Sequence, residues 1–170
     1  MDKYQENRTA YGKFMFKFML KCDKFLMKHM WLYYILNYTW GIIMTLIGWL
    51  VIGFIKIFLR RKIVESGKFG PAYFLMLGSN WGGLELGKNF LLADKMGESW
   101  TLHTKQHECG HTFQNAILGP LVIFLVAIPS AIRYWMSRFG KLKSDYDAIW
   151  FEGNASYFGE IYYNEKIKEK

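Results

Sequence analysis

Only two cysteines, Cys22 and Cys109, and four histidines occur among the 170 residues. A bridge between the two thiols is open, but nothing in their spacing favours one, which points to a reducing compartment. Four histidines are too few for membrane di-iron hydroxylases and desaturases, which need about eight in several boxes. Acidic residues are also scarce: 14 stand against 22 Lys and Arg, for a net charge of +8. No nucleic-acid-binding motif accompanies that charge. The lysines alternate instead with Phe, Met and Leu, so the charge suits a lipid bilayer rather than nucleic acid. The first ten residues, MDKYQENRTA, are polar, and no cleavable signal peptide is visible. Sequons begin at Asn7, Asn37 and Asn154. One falls in an apolar run and one beside a candidate site residue, so they read as chance.

Apolar residues are abundant, with 19% aromatics, and they gather in long runs. The length suffices for one compact domain and is short for two. Residues 11–30 read as a basic amphipathic helix: Lys13, Lys17, Lys21, Lys24 and Lys28 fall within an arc of about 80°. Such a helix can lie in the membrane interface or serve as a bundle helix with one solvated stripe. Residues 31–55 carry no charge and are long enough to span a bilayer as one transmembrane helix. Trp31, Tyr33 and Tyr34 sit where an interfacial aromatic belt belongs. Lysines and arginines flank this run on both sides, so its orientation is not set by the positive-inside rule. Residues 1–62 are thus a membrane-anchoring region, and 63–170 a second unit. In that unit Gly82-Gly83 and LELGKNFLLAD predict a small β-hairpin, either a substrate-binding edge or a packing element.

The chemistry-bearing stretch is TKQHECGHTFQ, residues 104–114. In the pattern His107-Glu108-Cys109-Gly110-His111, the two histidines share a helix face and can ligate one zinc ion (Zn2+). Glu108, one step round, can take a proton from water at the metal without being a ligand. A third protein ligand is required, and His103, Asp94, Asp145, Asp147, Glu152 and Glu160 are candidates. His103 can also touch a substrate or simply start a helix, and Gln114 can support His111 or be a surface amide. His29 belongs to the amphipathic helix. An intramembrane site-2 protease would carry this motif inside an apolar span, whereas Thr104-Lys105-Gln106 precede it here.

The run HECGHTFQNAILGPLVIFLVAIPSA resembles the core of a small family of uncharacterised bacterial membrane proteins. Their pattern is H-E-[YF]-G-H-T-x-Q-S-x-x-L-G-P, an apolar run ending I-P-S, and a later E-x-x-A-D-x-x-G. GGLELG, residues 82–87, resembles that family's G-G-x-S-L-G. More distantly, the layout is similar to membrane-associated gluzincin metallopeptidases. The likeness covers about residues 78–160. It implies His107, His111 and Glu152 as zinc ligands, with Glu152 in an E-x-x-A sequence, and Glu108 as the base. It further implies a membrane-bound peptidase acting on peptides near a bacterial cytoplasmic membrane. Cys109, Asn115 and Ser156 depart from the pattern. Ser156 stands where the family has an Asp suited to orient a ligand histidine, and its loss favours a metal-binding scaffold without hydrolysis as the alternative.

Pro120 and Pro129 interrupt the apolar run 116–135, which predicts a broken or re-entrant segment rather than a straight span. If the chain folds back at Gly119-Pro120 and 145–163 is helical, Glu152 lies roughly 10 Å into its helix. The histidines lie about 5–10 Å from the adjacent end of theirs, so the depths agree. The expected architecture is mainly α and membrane-associated. It comprises an amphipathic helix, one transmembrane helix, a hairpin, a zincin-like helix and a broken apolar helix pair.

Overall fold

The computed structural model describes residues 9–94 and 97–168. Asn7 and the polar start of the chain lie outside them. The fold is mainly helical with a small mixed sheet. Helix α1 spans Ala10–Lys28 and is capped by Thr9, whose hydroxyl accepts from the Gly12 amide at 3.1 Å. Its five lysines are exposed, as are Tyr11, Phe14, Phe18 and Phe25 beside them. The opposite face, with Phe16, Met19, Asp23 and Leu26, is buried. The helix thus has the packed face of a bundle helix and a basic, aromatic outer face.

The uncharged run after α1 is not one straight helix. It divides into α2 (Met30–Tyr38) and α3 (Ile42–Phe58), bent by 77°. Among the described residues no single helix is long and apolar enough to cross a membrane. The bend is held by a partner on a later helix and by the turn itself. Asn37, buried in the middle of the run, accepts from Asn115 Nδ2 at 2.7 Å, and Asn115 also donates to the Gly41 carbonyl at 3.1 Å. Thr45 Oγ1 donates to the Asn37 carbonyl at 3.1 Å. Backbone acceptors freed at the break therefore find side-chain donors, which makes a break inside an apolar run tolerable. Tyr33 does not belong to an aromatic belt. It is fully buried, and its hydroxyl donates to Thr112 Oγ1 at 2.9 Å.

Four strands follow: β1 (Ile63–Phe69), β2 (Ala72–Leu77), β3 (Gly83–Leu86) and β4 (Asn89–Ala93). The expected hairpin is β3–β4, antiparallel through Leu84↔Leu91. β1 and β2 extend it to a sheet of order β1-β2-β4-β3, with β2 and β4 parallel. β3 is left at an edge.

Helix α4 (Glu98–Leu118) ends at Gly119, whose positive φ of 55° is a conformation that glycine adopts without strain. The chain continues through a 3₁₀ turn (Gly119–Leu121), a π-helical turn (Ile123–Ala127) and α5 (Ile128–Arg138). The direction changes by 117° between Glu98–Leu121 and Ile123–Arg138, so the apolar run is broken just beyond Gly119-Pro120. After a 3₁₀ turn at Tyr146–Ala148, α6 (Trp150–Lys166) packs along α4. The two helices approach closely because both contact points lack a side chain. Gly110 lies against the Ala155 carbonyl, and Gly159 lies against the Gln106 carbonyl.

Candidate metal centre

Helical spacing puts His107 and His111 one turn apart on α4, with their Nε2 atoms 3.1 Å from each other. Glu152 enters from the first turn of α6, where the positive helix end favours a carboxylate. Its Oε2 lies 3.1 Å from His107 Nε2 and 3.2 Å from His111 Nε2. All three side chains are buried.

The outer ring nitrogens decide what this cluster can hold. Gln114 Nε2 donates to the Phe151 carbonyl at 2.8 Å and to Asn154 Oδ1 at 2.7 Å. Both amide hydrogens are then used, so Gln114 Oε1 must accept from His111 Nδ1–H at 2.9 Å. Ser156 Oγ donates to Asp147 Oδ1 at 3.1 Å and accepts from His107 Nδ1–H at 2.7 Å. Each imidazole thus spends its hydrogen outward and turns a lone pair inward. Three acceptors, two Nε2 and one Oε2, converge on one point and need positive charge there. Glu152 Oε1, buried without a hydrogen-bond partner, adds a fourth acceptor to the account. The donor set and its convergence fit a metal ion, and the buried His107, His111 and Glu152 group can hold one.

The electrostatics agree. Burial alone would lower His111, but the hydrogen bond and charge of Glu152, with Glu108 and Glu85, raise it to about 9. Burial would raise Glu152, but the two histidines hold its carboxyl far below the usual carboxylate range. A cation at this point, proton or metal, is what the pair demands.

Glu108 is buried and not part of the triplet. Burial raises its pKa against the lowering by His107 and His111. Its carboxylate lies against Gly83 of β3 and accepts from the backbone N–H of Glu85. A side chain at Gly83 would occupy that place. Glu108 and the two histidines line a cavity of about 280 Å³, walled largely by Met44, Trp81, Val126, Ala131 and Trp135. Tyr134 closes one side through its hydroxyl, 3.0 Å from the Trp81 carbonyl.

Of the third-ligand candidates, the fold brings in Glu152. Asp94 Oδ1 instead accepts from the Ser79 amide at 3.0 Å, and Glu160 is exposed. The Asp145 carbonyl accepts from Arg133. His103 is exposed and stacks on His107 with ring centroids 6.3 Å apart, outside the triplet. Asp147 reaches His107 through Ser156, so the carboxylate missing at position 156 is supplied one step farther out. Three contributors, two lining the cavity and one behind His111, escaped the sequence. Tyr146 lines the cavity with its hydroxyl 3.3 Å from Ser130 Oγ, and burial and Glu152 raise its pKa. Glu85 lines the cavity from β3. Asp23, on α1, accepts from Asn154 Nδ2 at 2.9 Å and so closes the chain Asn154–Gln114–His111; burial pushes it up to about 8. Only the position of Glu85 within GGLELG hinted at any of them.

Comparison of the chain with known protein families, with characterised proteins and with solved structures returns no match. The functional reading therefore stands on the site itself.

Proposed function

We propose that the protein is a membrane-bound zinc metallopeptidase, with His107, His111 and Glu152 as ligands and Glu108 as general base. The observation that carries this reading is the convergence of three inward lone pairs beside a buried, non-ligating carboxylate, in a cavity bounded by an edge strand. Two imidazoles and one carboxylate are a common catalytic zinc set. Bound there, zinc would acidify a water molecule and polarise a peptide carbonyl. Glu108 sits to receive the water's proton and to return it to the leaving amine. Tyr146, kept protonated by burial, offers a hydroxyl to a substrate oxygen from the cavity wall. β3, at the sheet edge next to Glu108, can hold an extended peptide by strand addition. Ser156 and Gln114 keep the ligand rings in the required tautomer.

The membrane assignment is supported by the exposed face of α3, where Trp49, Leu50, Phe54, Ile57 and Phe58 stand uncovered, and by the lysine stripe of α1. The bent α2–α3 pair is apolar enough in combination to cross a bilayer. α4, with its buried polar residues, belongs outside that span. The non-hydrolytic scaffold remains the competing reading, since it too would bind the metal. Glu108→Gln separates the two. It should keep the metal and lower peptide cleavage by about 10²-fold or more. Cleavage that is unchanged in this variant, or absent from the wild type, would refute the peptidase.

A further inference from the structure

The mechanism above leaves one cavity-lining acid without a task. Glu85 is the middle of the short edge strand β3, and its side chain is 8% exposed. The Gly87 amide donates to its carboxylate, yet its Oε1 has no hydrogen-bond partner. Among the described residues no Lys or Arg lines the cavity. Glu108 and His111 are its charged neighbours across the cavity. A divalent ion at the triplet answers the charges of Glu152 and Glu108, whereas burial, with Glu108 beside it, holds the Glu85 carboxyl well above the usual carboxylate range. A buried carboxyl with a free oxygen, beside an apolar cavity, ionises when a cation arrives with the ligand to pair it.

We propose that Glu85 recognises a substrate ammonium group, so that the cavity selects peptides presenting either a free α-amine or a lysine side chain. This inference rests on the peptidase reading and names its substrate class. The apolar walls around Glu85 strengthen the pairing, because an ammonium–carboxylate contact gains most where water is excluded. With Glu85 on β3 next to Glu108, a peptide lying along that strand would carry its ammonium group within about one residue of the reacting carbonyl.

The test is a binding titration on zinc-loaded protein in the Glu108→Gln background, which stops turnover. Three ligands are compared: leucinamide, Nα-acetyl-leucinamide and Nα-acetyl-lysinamide. At least one of the two cationic ligands should bind about tenfold or more tightly than neutral Nα-acetyl-leucinamide. Preference for leucinamide identifies the α-amine as the group recognised, and preference for Nα-acetyl-lysinamide identifies the side chain. Adding Glu85→Gln, or Glu85→Ser should the first variant fail to retain zinc, should erase the preference. Equal binding of all three ligands, or a preference that survives both substitutions, overturns ammonium recognition and leaves the peptidase standing. Binding of none overturns the peptide substrate as well.

Discussion

His107 and His111 are held by what lies behind them as much as by their spacing. Ser156 and Gln114 each accept an Nδ1–H and thereby turn the Nε2 lone pairs toward Glu152. Ser156→Ala removes one acceptor and frees the His107 ring to change tautomer. Metal affinity should fall about ten- to a hundredfold, read by competition with a chelator; an unchanged affinity would show that Ser156 is only a neighbour. The histidine pair was legible in the sequence because the i, i+4 relation is local to one helix. Glu152 was legible only through a resemblance and a matching of helix depths. Tyr146 and the Asp147 relay were not legible, and Glu85 was only hinted at by its place in GGLELG, because each depends on how separate elements meet. A serine in place of an expected aspartate looked like a loss. The fold brings an aspartate from nine positions earlier in the chain to the same histidine.

At the scale of elements, the two bends are built against each other. Trp40, in the turn between α2 and α3, lies over Gly119 and donates from Nε1 to the Ile117 carbonyl at 3.3 Å. Asn115 of α4 ties down the other side of the same turn. The proline positions and Gly119 announced the second bend. Nothing comparable announced the first, since Asn37 and Gly41 are tolerated in many spanning helices and only their partner on α4 reveals the break. The closeness of α4 and α6 brings Glu152 to the histidines. Gly110→Ala would drive a methyl into the Ala155 carbonyl and push α6 outward. The expected cost is about 1–3 kcal/mol of stability, seen as a lower Tm, together with weaker metal binding. A variant with unchanged Tm and metal affinity would mean that the helices have room to spare.

For the whole molecule, the buried His107, His111 and Glu152 group lies inside a fold whose helices α2, α3 and α5 expose apolar side chains, with the basic stripe of α1 alongside. On the proposed reading the protein remains with membranes after an alkaline carbonate wash. Leu50→Glu combined with Phe54→Glu places two charges on the exposed face of α3. A charge at the centre of a spanning helix costs about 2.5–3.5 kcal/mol, so the retained fraction should drop clearly. Full retention would move the membrane contact elsewhere. The organising claim of the account is that α4 and α6 meet in order to hold a metal ion. It is tested most directly by metal analysis of the purified wild type beside Glu152→Ala. The account predicts about one equivalent of zinc in the wild type and a large loss in the variant. A wild type without metal, or a variant with undiminished metal, would contradict it.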